Sequence, residues 1–303
     1  MTMNASPTAI AEERTICPIC SNPETRRVGS KRGTIQPIDF LLRRCDACGF
    51  SYVANPWTDY AAIYTRDYYE GTGVDPRTDY YFELEHPEAT VHRYEWRGLE
   101  KVVGSLIDLK KDSNWIDYGC GNGALVRHLR GRGYVNCEGF DEGHIVDDAR
   151  KLGIPILRRE ELSARYGTCD VVTSIEVLEH VIEPLEALRE MRKLLKPGGL
   201  LFLTTGNAEP FRNKIETWDY VTPEIHVSFF EPATVARALE LTGFRPAFPG
   251  RLPGLKEIIQ FKVLKNLDSL RDRWWHHLLP WPLLTYPMDK LRKVSAHPIG
   301  WAV

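Results

Sequence analysis

An α/β fold, with a mostly parallel sheet covered by helices on both faces and a small cysteine-rich module in front of it, is what this 303-residue sequence predicts. Three observations carry the prediction. Short apolar strands alternate with helical stretches from about residue 115 to residue 245. A glycine-rich turn, Asp117-Tyr118-Gly119-Cys120-Gly121-Asn122-Gly123, falls where the first of these strands gives way to the first helix. Two Cys-x-x-Cys pairs, Cys17 with Cys20 and Cys45 with Cys48, stand ahead of the alternating block.

The elements follow in order. Residues 1–14 read as a loose polar tail, and residues 15–55 as the cysteine module with short strand-like pieces such as Ile38–Leu42. Residues 56–109 form a Tyr- and Asp-rich cap that ends in a long helix from about Glu88 to Leu109, where Val91, Tyr94, Leu99, Val102, Val103 and Leu106 keep near-helical spacing. The core occupies residues 110–250. Strands are expected at Trp115–Tyr118, Val135–Phe140, Ile154–Leu157, Asp170–Ile175 and Leu200–Thr204, with Lys196–Gly199 as a turn. Helices are expected at Ala124–Arg132, Ile145–Leu152, Pro184–Leu195 and Glu231–Leu241. Residues 251–303 are a C-terminal extension: a long amphipathic helix over Leu255–Leu279 carrying Trp274 and Trp275, then a Pro-rich apolar tail with Trp281.

Composition narrows the function. Apolar residues make up 43% and charged residues 26%, which fits a globular chain and argues against disorder. Lys plus Arg number 39 and Asp plus Glu 41, so the chain lacks the overall positive charge of a general nucleic-acid binder. No stretch reaches the ~18–20 apolar residues of a membrane span, and residues 1–14 hold no apolar leader core. The expected location is therefore cytoplasmic. The sequence sets no oligomeric state.

The glycine turn is built for a ligand. Its glycines let the main chain bend tightly and let a bound group approach it, and the following helix offers unpaired N–H groups. Asp141, at the end of the second strand and 20 residues beyond Gly121, is placed to accept hydrogen bonds from both hydroxyls of a ribose. A dinucleotide wants G-x-G-x-x-G, whereas here the spacing is G-x-G-x-G with Asp117 just ahead. A carboxylate there suits a cationic ligand better than a pyrophosphate. S-adenosylmethionine (SAM) carries an ammonium and a sulfonium and no phosphate.

In this turn, in Gly139-Phe140-Asp141, in the run Asp170–Val181 and in Leu194-Leu195-Lys196-Pro197-Gly198-Gly199-Leu200-Leu201-Phe202, the chain resembles the class I SAM-dependent methyltransferases, the broad group of small-molecule, quinone and sugar enzymes. The order and spacing match over about residues 110–245. The resemblance implies a Rossmann-like, seven-stranded sheet and transfer of a methyl group from SAM to a small-molecule acceptor, as an O-methylation of a sugar or secondary metabolite. It places Asp117 near the methionine amine, and Gly119, Cys120 and Gly121 against the cofactor. Asp141 with Glu142 falls at the ribose, and Glu160 at the adenine end. Ser174, Ile175 and Glu176 flank the methionine and sulfonium; Ile175 also fits plain core packing.

Four cysteines in two Cys-x-x-Cys turns predict one tetrahedral structural Zn2+ held by Cys17, Cys20, Cys45 and Cys48. The 24 residues between the pairs slightly exceed the usual ribbon spacing. A redox pair would need a helix start in a βαβ unit, a context absent here. Arg26, Arg27, Lys31, Arg32, Arg43 and Arg44 make this zinc ribbon basic. That leaves open an RNA base methyltransferase in which the ribbon grips RNA, although solvated surface charge explains the run more simply. A third alternative is a binding module that kept the fold and lost turnover.

His226 and His180 are the candidate bases for a hydroxyl nucleophile. The plainer reading of each is a histidine bonded to a backbone carbonyl or a helix cap. Tyr69, Tyr80, Tyr81 and Tyr94 are placed to close over the cofactor or simply to pack. The Trp-bearing extension is expected to pack on the core or a partner subunit, with a substrate lid or peripheral lipid contact as the alternative.

Overall fold

The computed structural model of the chain describes residues 10–74, 78–248, 253–267, 270–284 and 299–302. Residues 1–9 of the expected tail and residues 285–298 of the expected Pro-rich tail lie outside the described residues.

Two sheets organise the molecule. The N-terminal strands β1 (Thr25–Arg32), β2 (Asp39–Cys45) and β3 (Ser51–Val53) form an antiparallel meander. In chain order the core then supplies β4 (Trp115–Tyr118), β5 (Cys137–Phe140), β6 (Ile156–Leu157), β7 (Cys169–Ile175), β8 (Leu195–Thr204), β9 (Ser228–Phe229), β10 (Phe244–Ala247) and β11 (Ile299–Ala302). Seven of these make one sheet in the order β10-β11-β8-β7-β4-β5-β6. Its centre, β6-β5-β4-β7-β8, is five parallel strands, and β11 lies antiparallel between β8 and β10. The remaining strand, β9, leaves the core and completes the N-terminal sheet beside β3. The cysteine module is thus not closed within residues 15–55: its fourth strand comes from residues 228–229.

The helices are α1 (Arg66–Tyr69), α2 (Tyr80–Glu85), α3 (His92–Leu106), α4 (Ala124–Gly131), α5 (Ile145–Lys151), α6 (Pro184–Leu194), α7 (Pro232–Leu241) and α8 (Leu255–Asn266). Strand periodicity sorts side chains to the two faces. Trp115, Val171, Leu200 and Phe202 meet Leu99, Val102 and Val103 of α3 and Leu125, Val126 and Leu129 of α4. Their neighbours Ile116, Val172, Leu201 and Leu203 meet Leu188, Met191 and Leu194 of α6 and Val235 and Leu239 of α7. Each fully buried aliphatic side chain contributes roughly 1.5–3 kcal/mol.

Two expectations need correction. Lys196–Gly199 is not a turn before a strand but a bulge inside β8: Cys169 pairs Leu195 and Val171 pairs Leu200, with Gly198 in the left-handed region at φ 78°. The helix expected over Leu255–Leu279 ends at Asn266. Beyond it the chain turns to pair with the segment ahead of α3. Leu270 accepts from the Val91 N–H, the Asp272 N–H donates to Ala89, and the Asp272 carboxylate is held by Arg93 and by the Tyr94 hydroxyl. Those bonds outweigh further helical turns. Residues 274–278 then form a short 3-10 helix, and Trp281 is buried against Val91, Tyr94, Phe261 and Leu264.

Candidate active site

A cleft of about 2000 Å³ opens where β4, β5, β7 and β8 end at their carboxyl edges. Strand β4 ends in the glycine turn, whose geometry explains its residues. Gly119 has φ 82°, and a Cβ there would lie 2.3 Å from Val177 Cγ2, so no other residue fits. The Asn122 side chain accepts from the Ala124 N–H to cap α4 and donates to the Tyr80 carbonyl, which ties the cap to the turn.

Both expected carboxylates face the cleft. Asp141 accepts from the Gly121 N–H at 2.9 Å through Oδ2 and from the Gly143 N–H at 2.7 Å through Oδ1. Burial raises its pKa against the pull of these backbone donors. Asp117 accepts from Thr173 Oγ1 at 2.8 Å, and Thr173 in turn accepts from the Trp115 indole N–H at 3.0 Å. Burial pushes Asp117 up to about 7, the Thr173 bond only partly opposing it. Such a group near neutrality favours whatever cation arrives beside it.

Gly119, Cys120, Gly121, Glu142, Ile175 and Glu176 also line the cleft. Two expected residues do not. Glu160 is exposed, on the 3-10 helix Arg159–Arg165, and it is Arg159 of that helix that lines the cleft. Ser174 is buried away from the cleft, on the strand face opposite that of Ile175, because side chains alternate along β7. Of the four tyrosines, Tyr69 and Tyr80 line the cleft. Tyr81 bonds Asp148 on the outer surface, and Tyr94 joins the Asp272 cluster.

The far wall holds a charged network that sequence reasoning missed in part. Glu176 stands at φ 54°, a left-handed conformation rare for its type, with its N–H on Thr204. Its carboxylate accepts from Lys262 Nζ of α8 at 3.2 Å and from the Tyr220 hydroxyl at 3.0 Å. Burial works against its charge, yet Lys262 holds it well below the usual carboxylate range. Tyr220 also bonds Glu179, which Thr205 Oγ1 reaches at 2.8 Å. Burial, followed by the Glu176 charge, raises Glu179 to about 8. The run Glu176-Val177-Leu178-Glu179-His180, with two acids three apart before a histidine, was the available signal for Glu179. Nothing in the sequence pointed to Tyr220 or Lys262.

His180 and His226 come together, with ring centroids 4.7 Å apart. Ligand atoms of Glu179, His180 and His226 lie within 4.8 Å of one another, close enough to share a cation. His180 Nδ1 meets the Tyr64 hydroxyl at 3.1 Å, and burial lowers its pKa to about 3. His226 Nδ1 lies 2.5 Å from the Tyr220 carbonyl, so Nδ1 carries the proton and Nε2 the lone pair. Phe211, Trp218, Tyr220 and His226 stack in series along the wall, at 5.1, 4.7 and 4.3 Å between centroids. Gly206 makes room for them: a Cβ there would meet Tyr220 at 2.4 Å.

The four ribbon cysteines converge. Cys17 and Cys48 sulfurs are 3.6 Å apart, Cys20 and Cys45 sulfurs 3.5 Å, and all four lie within 4.8 Å. Asn22 donates to the Cys45 sulfur at 3.7 Å. The contact between the Cys17 and Cys48 sulfurs lowers the pKa of Cys17 and raises that of Cys48.

Residues 91–247 match the family model described as a methyltransferase domain. A ubiquinone biosynthesis O-methyltransferase of Pseudomonas aeruginosa is 32% identical over 151 residues, covering 42% of this chain and 64% of that protein. The chain therefore spans a little under two thirds of the length of that relative. The enzyme of the same description from Aeromonas salmonicida is 29% identical over 171 residues, covering 50% and 71%. Among solved structures, an S-adenosylmethionine-dependent methyltransferase from Mesorhizobium loti aligns with a TM-score of 0.43 at 17% identity, over 62% of this chain and 96% of that one. The family model covers just over half of the residues, with the glycine turn and both carboxylates inside it, so the chain belongs to the methyltransferase domain family.

Proposed function

We propose that the chain catalyses transfer of a methyl group from SAM to a hydroxyl oxygen of a small-molecule acceptor. One observation carries the reading: a buried carboxylate is tied to the backbone of the glycine turn, and a second, with a pKa near neutrality, lies behind that turn. These groups suit a ligand with a ribose at one end and cationic nitrogen and sulfur at the other. Asp141 and Glu142 would hold the ribose, Asp117 the amine, and Gly119, Cys120 and Gly121 the body of the cofactor. Ile175 and Glu176 would flank its methionine end.

When bound, SAM supplies an already activated methyl group. The protein's own task is to align the acceptor oxygen and exclude water, and alignment is worth up to ~7–11 kcal/mol. The stacked wall from Phe211 to His226 suits a flat acceptor. His226 Nε2 is the better proton acceptor, since its Nδ1–H is fixed on the Tyr220 carbonyl. His180 is too weak a base and serves to seat His226 and Tyr64. The two relatives named as ubiquinone biosynthesis O-methyltransferases support an oxygen nucleophile.

The ribbon suits structural zinc. Bonds of ~2.3 Å in a tetrahedron put sulfurs ~3.8 Å apart, near the spacing found. Its basic side chains are largely engaged: Arg26 with Asp46, Arg32 with Asp39, Arg43 with Glu13, and Arg44 with buried Glu231. That favours a small-molecule acceptor over RNA.

Calorimetry with SAM and S-adenosylhomocysteine, then labelled methyl transfer to 3,4-dihydroxybenzoate as a simple phenolic probe, tests the reading. Asp141→Ala should weaken SAM binding about 30-fold, from loss of about 2 kcal/mol of charge-assisted bonding. Equal affinity in parent and variant would remove the ribose assignment.

A further inference from the structure

The cysteine module grips the loop that carries the aromatic wall. That loop runs from the 3-10 turn Ile215–Thr217 to His226 and presents Trp218, Tyr220 and His226 to the cleft. Lys31 of β1 reaches it from the ribbon. Its ammonium donates to the Trp218 carbonyl at 3.0 Å. The same carbonyl accepts from the Val221 N–H at 3.0 Å, so it sits at the bend that brings Tyr220 round. Lys31 thus spends its charge inward, whereas its neighbour Arg32 is exposed.

A second tie lies six residues further along. Glu224 is buried, and its Oε1 accepts from the Ile35 N–H at 2.9 Å and from the Thr34 hydroxyl at 3.5 Å, both in the turn between β1 and β2. A Cβ at Gly33 would lie 2.5 Å from that oxygen, so glycine there lets the carboxylate reach the turn. A buried carboxylate is costly without such partners. At the loop's exit, the Val53 N–H donates to the Val227 carbonyl and β3 pairs with β9. The core holds the loop by other bonds: the Tyr220 hydroxyl on Glu176 and Glu179, and the Val227 N–H on the Glu179 carbonyl.

We propose that the β1–β2 hairpin is a positioning element of the acceptor site, a role that rests on the methyl-transfer reading above. Lys31 and Glu224 fix the backbone from which Trp218 and Tyr220 present their rings. The ribbon then sets affinity for a flat acceptor, while the glycine turn sets affinity for SAM. Because Phe211, Trp218 and Tyr220 stack in series, a shift at Trp218 passes to both neighbours. The hairpin lies outside the family-matched segment 91–247, so this grip is a feature of the chain's own N-terminal module.

Lys31→Met keeps the stem and removes the donor. Its KM for 3,4-dihydroxybenzoate should rise about 10-fold, inside the roughly 100-fold that a 1 Å misplacement costs. Its kcat should stay within about 2-fold, because Tyr220 and Val227 keep their core bonds and hold His226 in place. Its Kd for S-adenosylhomocysteine should equal the parent's. Lys31→Arg retains a donor and should recover most of the loss. Glu224→Ala should behave as Lys31→Met does, and Glu224→Gln, which keeps an oxygen for the Ile35 N–H, as the parent; should Glu224→Ala fail to fold, the Lys31 variants carry the test. Amide hydrogen exchange reads the grip without any ligand. Residues 216–226 should exchange about 10-fold faster in Lys31→Met, with residues 117–124 unchanged. Unchanged exchange would overturn the proposal, as would faster exchange with an unchanged acceptor KM. So would an equal loss of S-adenosylhomocysteine affinity, which would make the effect global. A parent that binds no S-adenosylhomocysteine overturns the transfer reading itself, and the acceptor role with it.

Discussion

Replacing Lys262 with methionine tests whether the C-terminal helix is part of the site or merely packed on it. Lys262 lies outside the family-matched segment 91–247, yet its ammonium is 3.2 Å from Glu176 at the end of β7. The two side chains are 20% and 30% exposed, so the pair lies between the extremes for which costs are known. Breaking a fully buried pair costs about 3–5 kcal/mol because a charge is left uncompensated; an exposed pair is worth about 0.2–1 kcal/mol. Lys262→Met keeps the stem's volume and removes the charge, so a loss of about 2 kcal/mol is expected, or roughly 4–8 °C in melting temperature. Glu176→Gln and the double variant complete a cycle. In the double variant no charge is stranded, so the losses should not add, and the coupling should be about 1.5 kcal/mol by denaturant unfolding. Because Lys262 depresses the Glu176 pKa, this contribution is present above the unfolded value of about 4.3 and lost as pH falls below it. A coupling under about 0.5 kcal/mol at neutral pH would refute the reasoning.

Other consequences can be measured separately. Asp117, raised to about 7 in the fold against about 3.9 unfolded, binds more protons when folded, so its share of stability falls as pH rises from about 4 to 7. Asp117→Asn should flatten that slope by about 2 kcal/mol between pH 5 and pH 7; an unchanged slope would place the titration elsewhere. Gly119→Ala forces a Cβ against Val177 and strains a left-handed backbone, so both stability (by about 1–3 kcal/mol) and SAM affinity should drop. Cys45→Ser, or chelation of the parent, should abolish bound zinc measured by atomic absorption and lower the melting temperature; retained zinc in the variant would rule out a four-thiolate site.

Much of this architecture was legible because periodicity and glycine punctuation are local signals. The glycine turn, Asp117, Asp141 and the four cysteines all fell where their spacing put them, since each is fixed by its own strand end or turn. Two of the errors concern the fold. Lys196–Gly199 reads as a turn by composition, but tertiary pairing with β7 keeps it in a bulged strand. The helix after Leu255 stops early because Asp272 finds Arg93 some 180 residues away, which no window of sequence can see. The network on Glu176 was illegible for the same reason: Tyr220 and Lys262 reach it from 44 and 86 residues downstream.

The strand that links the cysteine module to the catalytic core limits how the chain can be shortened. Residues 228–229 pair with β3 immediately after His226, and the Val53 N–H bonds the Val227 carbonyl. Cutting the chain after Val53 would strip a partner from that edge and expose Phe229, inviting self-association. It would also unclamp the loop that aims His226.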